Sequence, residues 1–253
     1  MLPLTNKNGL AQAAQRANVV ADSPAFEEFV ATIQKRFPWR FENMPRAALD
    51  RDYLRIVDHH LHHLIPHVER YMNPAIKRVI DFGCGSGGSA IALALVHPDV
   101  YCCGTDIDEN EIAVARDRAK LYGVEDRCEF HHVEPCVRLP FADSSFDLSL
   151  CSSVLEYATE GDIRRFCVQE MARLVTPHGF LFIAVPNRLY PFEVHTGKWG
   201  WNYFPKLLGA HTVGCTAWEV KKLARPMSLT LHQTPLAQLL TPWSAFCLRR
   251  ESD

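Results

Sequence analysis

The chain has 253 residues, 47 % of them hydrophobic and 22 % charged, with a formal net charge of -2. This length suits one large, well-filled domain, and the acidic balance argues against a nucleic-acid partner, whose phosphates call for a basic surplus. Nine cysteines occur without a C-x-x-C pair; Cys102, Cys103, Cys128 and Cys151 sit in apolar runs and read as reduced core residues of a cytoplasmic protein.

Residues 1–22 carry Lys7 and Arg16 but no apolar centre, so they read as a loose arm or short helix rather than a signal peptide. Ser23 then caps a helix over 25–37, with Pro24 in its first turn and Phe26, Phe29, Ile33 and Phe37 on one face. A second helix is predicted over 48–70, striped by Leu54, Val57, Leu61 and Leu64, and kinked or split by Pro66. These elements form a helical preface, residues 1–75. His59, His63 and His67 share a face of the second helix, and histidines four apart can bind zinc. No cysteine or carboxylate stands in register with them, so no metal is expected.

From Arg78 the rhythm changes to short apolar runs alternating with helical patterns. Strands are predicted over 79–82, 100–104, 128–133, 146–151 and 180–185. Helices are predicted over 89–96, 110–122, closed by Gly123, and 162–175, with Thr159 as N-cap and Ile163, Cys167, Met171 and Leu174 on one face. Such alternation implies a mostly parallel sheet with ligands beyond the strands' carboxyl ends. Residues 186–215 are rich in aromatic and turn residues. A short helix over 216–225 and strands over 227–232 and 243–249 follow, too close together for a crossover helix and therefore an antiparallel edge pair.

The most informative stretch is Val79-Ile80-Asp81-Phe82-Gly83-Cys84-Gly85-Ser86-Gly87-Gly88. It reads as a strand, a glycine turn and a helix start, the arrangement that holds a nucleotide-type cofactor. Gly83, Gly85 and Gly88 also satisfy G-x-G-x-x-G, which keeps a dinucleotide-dependent dehydrogenase open. Asp81 points elsewhere: a pyrophosphate gains nothing from an anion there, whereas a cofactor with a free ammonium and a ribose does. Asp106 closes the next apolar run, where an acidic side chain can grip ribose hydroxyls.

With Leu139-Pro140-Phe141-Ala142-Asp143-Ser144-Ser145-Phe146-Asp147 and Glu170 to Gly179, the chain resembles the class I S-adenosylmethionine-dependent methyltransferases, in the branch with an LPF-x-D-x-SFD segment, over residues 76–186. The resemblance implies an α/β, Rossmann-like, seven-stranded, mostly parallel sheet with an antiparallel terminal hairpin. It makes 76–253 the S-adenosylmethionine-binding domain behind the preface, with 186–215 inserted. It assigns Asp81, Gly83, Gly85 and Gly87 to the methionine part of the cofactor, Asp106 to the ribose and Ile107 to the adenine face. Glu134 and Pro135 fall on the adenine edge, where the family often has Gly-Asp-Ala, and Ser152 on the methionine chain.

Methyl transfer needs alignment, and a base only where the acceptor loses a proton. Glu156, just past the fourth strand, and His195, after the fifth, are the candidate bases; packing roles are their bland alternatives. Cys151-Ser152-Ser153-Val154 replaces the Asn/Asp-Pro-Pro-Tyr sequence of amino-directed nucleic-acid enzymes. Tyr190, Phe192, Trp199, Trp201, Tyr203 and Phe204 read as a lid over an apolar or aromatic acceptor; a small satellite core, and a membrane-surface patch with Arg188, Lys198 and Lys206, are the alternatives. The reading is thus methyl transfer to a small organic acceptor, O-methylation favoured. An RNA or protein methyltransferase and a non-catalytic cofactor-binding partner subunit are the rivals.

Overall fold

The computed structural model describes residues 6–193, 198–200, 212–223, 229–231 and 241–251. The chain forms two compact units, Met1–Val133 and Glu134–Asp253.

The first unit opens with helices. Of the loose arm or short helix expected at the start, the helix forms, as the 15-residue α1 (Lys7–Ala21). Asn6 begins it: its side chain accepts from the Gly9 N–H at 2.8 Å and donates to the Val96 carbonyl at 3.0 Å. A cap and a long-range anchor together order a segment whose composition is unremarkable. Helix α2 (Pro24–Arg36) follows as predicted, with the Ser23 Oγ accepting from Phe26 N–H at 3.3 Å. Phe26, Phe29, Ile33 and Phe37 pack with Leu49, Tyr53, Leu54 and Val114 in one cluster. Then come α3 (Pro38–Asn43), α4 (Arg46–Leu49), a single π-helical turn (Asp50–Leu54), α5 (Ile56–His63) and α6 (Ile65–Val68). The predicted helix over 48–70 is therefore broken more than once. Pro66 lies in the first turn of α6, where its missing N–H costs little. The stripe Leu54, Val57, Leu61 and Leu64 is buried as expected.

Three parallel strands follow: β1 (Arg78–Phe82), β2 (Tyr101–Asp106) and β3 (Cys128–His132), with β2 between the others. Helix α7 (Gly88–Val96) links β1 to β2, and α8 (Glu109–Leu121) links β2 to β3. Of the nine α7 residues all but Leu95 are buried, which is why it is apolar all round.

The second unit holds β4 (Phe146–Ser152), α9 (Gly161–Leu174) and the 12-residue β5 (Val175–Pro186), parallel to β4. A two-residue ribbon pairs β6 (Phe192–Glu193) with β7 (Lys198–Trp199). Helix α10 (Ala217–Leu223) precedes β8 (Leu229–Leu231) and β9 (Trp243–Arg250); β9 is antiparallel to β8, as the close spacing predicted, and also to β5. Among the described residues six strands have five or more residues, and the expected seventh is described over Leu229–Leu231 as β8. Thr159 does not cap α9: Glu160 holds that place without a side-chain hydrogen bond. The buried face of α9 is Arg164, Val168, Met171 and Leu174; Ile163 and Cys167 are only half-buried.

Candidate functional site

The glycine turn leaves β1 with Gly83, Gly85 and Gly87 at φ 72°, 50° and 80°. Its backbone is tied to the end of β2: Gly83 and Cys84 N–H both donate to the Thr105 carbonyl at 2.9 Å. The Gly85 N–H donates to Asp106 Oδ2 at 2.8 Å, and the Asp108 N–H to Asp106 Oδ1 at 3.0 Å. Asp106 therefore braces the turn with its own carboxylate, a task the sequence reading missed. Each oxygen keeps a further lone pair, so ribose hydroxyls can still be accepted. Ile107, beside it, is 61 % exposed, an apolar side chain free to lie against a flat ring.

The glycines are not equivalent. A Cβ on Gly85 would meet nothing within 4 Å, although φ +50° disfavours any side chain there. A Cβ on Gly87 would strike Phe130 at 2.9 Å and Ala115 at 3.0 Å. Gly85 thus faces open space, as a ligand cradle requires, whereas Gly87 is a packing glycine. Close approach by α8 and β3 thus keeps position 87 a glycine.

Asp81 lies behind the turn, 1 % exposed. The Ser89 Oγ donates to its Oδ2 at 2.5 Å, and the Ala90 N–H of the first turn of α7 reaches the same carboxylate. Burial pushes its pKa up to about 7, with the field of Asp106 adding to the rise; the Ser89 and Ala90 donors pull the other way. A bound ammonium would favour the anionic form of Asp81 and pair with it.

Preface residues reach this turn. His60 Nδ1 would lie 3.2 Å from a Cβ on Gly88, and Ile56 2.8 Å. Burial, then the neighbouring His59, lower the His60 pKa to about 3 and keep the ring neutral. The His59 and His63 rings lie 4.6 Å apart. Among the described residues no three His, Cys, Asp or Glu side chains are grouped to hold a metal.

In the second unit the LPFAD run is held by α9. Arg173 Nη1 donates to the Phe141 carbonyl at 2.9 Å and to Asp143 Oδ1 at 2.6 Å, and its Nε to Glu170 Oε2 at 2.9 Å. Glu170 Oε1 in turn accepts from Leu139 N–H at 2.7 Å. That motif is a scaffold for the start of β4. Ser152 is half-buried at the end of β4, and Ser153 follows at φ 58°. Glu156 is fully buried, its carbonyl accepting from Val213 N–H at 2.8 Å. Glu134 is exposed and Pro135 exposed beside it. Phe192 meets Trp199 edge-on at 5.8 Å, and Trp199 is 74 % exposed. His195, Trp201, Tyr203 and Phe204 lie outside the described residues, as does Lys206.

Residues 79–179 match the family model described as "Methyltransferase domain". The chain is 33 % identical over 114 residues to 27-O-demethylrifamycin SV methyltransferase of Amycolatopsis mediterranei, covering 44 % of this chain and 40 % of that protein. It is 32 % identical over 101 residues to norajmaline N-methyltransferase of Rauvolfia serpentina, covering 40 % and 33 %. The matched stretches thus span less than half the length of these curated relatives. Among solved structures, the S-adenosylmethionine-dependent methyltransferase SibL aligns with TM-score 0.56 at 18 % identity, over 96 % of this chain and 74 % of that one. The [4+2]-cyclase SpnF aligns with TM-score 0.52 at 18 % identity, over 72 % and 78 %, so the fold by itself does not name a reaction. The chain thus shares its fold with these solved structures, and residues 79–179 match a methyltransferase domain. Among the described residues no helix is long and apolar enough to cross a membrane.

Proposed function

We propose that this protein transfers a methyl group from S-adenosylmethionine to a small organic acceptor, with oxygen as the methylated atom. The observation that carries the reading is the cradle in the first unit: open space at Gly85, a half-exposed Asp106 fixed by two backbone N–H groups, and the buried Asp81. When bound, the cofactor supplies a methyl group already activated on a sulfonium. The chain's own residues orient and enclose. Asp106 accepts from ribose hydroxyls, Ile107 covers the adenine face, and Gly83 and Gly85 admit the methionine portion. Asp81 offers a negative field to its ammonium. Glu134, Pro135 and Ser152 are assigned to the cofactor by family resemblance.

The acceptor side is proposed as apolar or aromatic. The exposed Trp199 and its edge-on partner Phe192 support that, because an aromatic surface favours a flat or greasy ligand. Oxygen is favoured by the rifamycin relative's name and by the absence of the amino-directed sequence after β4. An acceptor hydroxyl must lose its proton. Glu156 is enclosed, which favours His195 over Glu156 as base. The domain division at residue 75, the lid over 186–215 and a cytoplasmic location belong to the same reading.

A screen of small phenols, alcohols and amines with radiolabelled methyl donor tests it. Label transferred to hydroxyl acceptors, and its loss in His195→Ala, is the expected result. Transfer only to amines moves the chemistry to nitrogen. Tight binding of donor and product with no transfer to any acceptor favours a partner subunit instead.

A further inference from the structure

The glycine turn is held by a side chain that the cofactor reading does not use. Arg118, on α8, is 0 % exposed. Its Nε donates to the Ser86 carbonyl at 3.0 Å and its Nη2 to the Ser86 Oγ at 3.2 Å. Its Nη1 donates to the Leu54 carbonyl at 2.9 Å, and Nη2 also to the Tyr53 carbonyl at 2.9 Å. Ser86 lies in the turn; Tyr53 and Leu54 end the π-helical turn of the preface.

Among the described residues no carboxylate accepts from this guanidinium. Glu111, the acid whose field reaches it, is already engaged by Arg40 and by the Tyr53 hydroxyl at 2.9 Å. Burial lowers the Arg118 pKa. A buried cation without a paired acid is costly, and an apolar residue of similar volume would pack there more cheaply. What an apolar residue could not do is satisfy the orphan carbonyls that close a helical segment while gripping a second element. The π-helical turn, a feature often found at functional sites, presents two such carbonyls side by side.

Neighbouring turn residues are held as well. Ile56 and His60 of α5 abut Gly88, and Phe130 and Ala115 abut Gly87. Residues 86, 87 and 88 are therefore pinned by preface, α8 and β3, while Gly85 alone faces open space. We propose that Arg118 is a positioning residue that couples the helical preface to the cofactor turn, so that ordering either one orders the other. The coupling rests on the cofactor reading above and extends it to how binding reaches residues 50–60.

Hydrogen exchange of the full chain, with and without saturating S-adenosylhomocysteine, tests it. The expected result is slowed exchange in peptides covering 50–60 as well as 83–90. Protection confined to 83–90 and 106–108 overturns the coupling and needs no variant. Arg118→Lys keeps the charge but loses the planar fork. It should retain a cooperative melt, bind S-adenosylhomocysteine about tenfold more weakly, and no longer protect 50–60. A folded Arg118→Lys with wild-type affinity and wild-type protection overturns the proposal, because a merely structural arginine would alter only the melt. Should Arg118→Lys not fold, the wild-type exchange pattern decides. Absence of any calorimetric binding by the wild-type chain removes the cofactor reading itself, and the coupling with it.

Discussion

In the first unit the guanidinium of Arg118 directs its donors to three main-chain carbonyls and one hydroxyl. In the second, Arg173 meets two carboxylates, Glu170 and Asp143, besides carbonyls of the LPFAD run. Arg173 raises no puzzle: its charge is balanced, and its partners stand three residues away on the same helix or in a motif visible to the eye. Arg118 is the costlier arrangement, and it sits against the turn that the cofactor needs. The difference teaches that a scaffold can be braced by balanced charge anywhere, whereas an unbalanced buried cation marks a place where backbone geometry itself has to be held.

The sharpest way to break this contrast is to fill the cradle that the first unit keeps open. Gly85→Val should abolish measurable binding of S-adenosylhomocysteine in calorimetry while far-UV circular dichroism stays near wild type. Strain at φ +50° should cost only about 1–2 kcal/mol in stability. Full binding by that variant would remove Gly85 from the cofactor surface.

Next in size is the brace of the second unit. Arg173→Met leaves Glu170, 6 % exposed, without its guanidinium, and should lower the unfolding free energy by about 3 kcal/mol in denaturant titration. The affinity for S-adenosylhomocysteine should stay within about twofold. A large loss of affinity would mean that the two arginines do the same job.

Asp106→Ala tests the acid that serves both turn and ligand. Binding should weaken by about 1.5–3 kcal/mol, the scale of a lost charge-assisted hydrogen bond. Unchanged affinity in titration calorimetry would confine Asp106 to bracing Gly85.

The smallest expected effect concerns pH. Asp81 in the free protein holds its proton up to about pH 7, because burial disfavours the anion. A bound ammonium favours the anion, so affinity should rise by about tenfold between pH 5 and 7 and then level. For the ligand-free protein the sign is reversed. The folded state binds this proton more tightly than the unfolded chain, so its stabilising contribution is complete below about pH 4 and is lost as pH rises to 7. Asp81→Asn should flatten both profiles; an unchanged binding profile would detach Asp81 from the ammonium.

The sequence by itself determined the alternation of strands and helices, the position of the glycine turn and the acids flanking it. Those features are local: period, turn chemistry and spacing are written in neighbouring residues. It also showed that the two last strands must run antiparallel, since too few residues separate them for a crossover. The tertiary structure decided what depends on distant partners. It made α1 a full helix through Asn6, Glu69 and Val96. It split the long preface helix at a π-helical turn whose carbonyls Arg118 satisfies. It packed Phe130 and Ala115 against Gly87 and enclosed Glu156. Nothing in the vicinity of Arg118 along the chain hints at its role, because the groups that it joins lie 32 and 64 residues away. A buried charge is placed by the whole fold, and only the folded chain can reveal which backbone it was put there to hold.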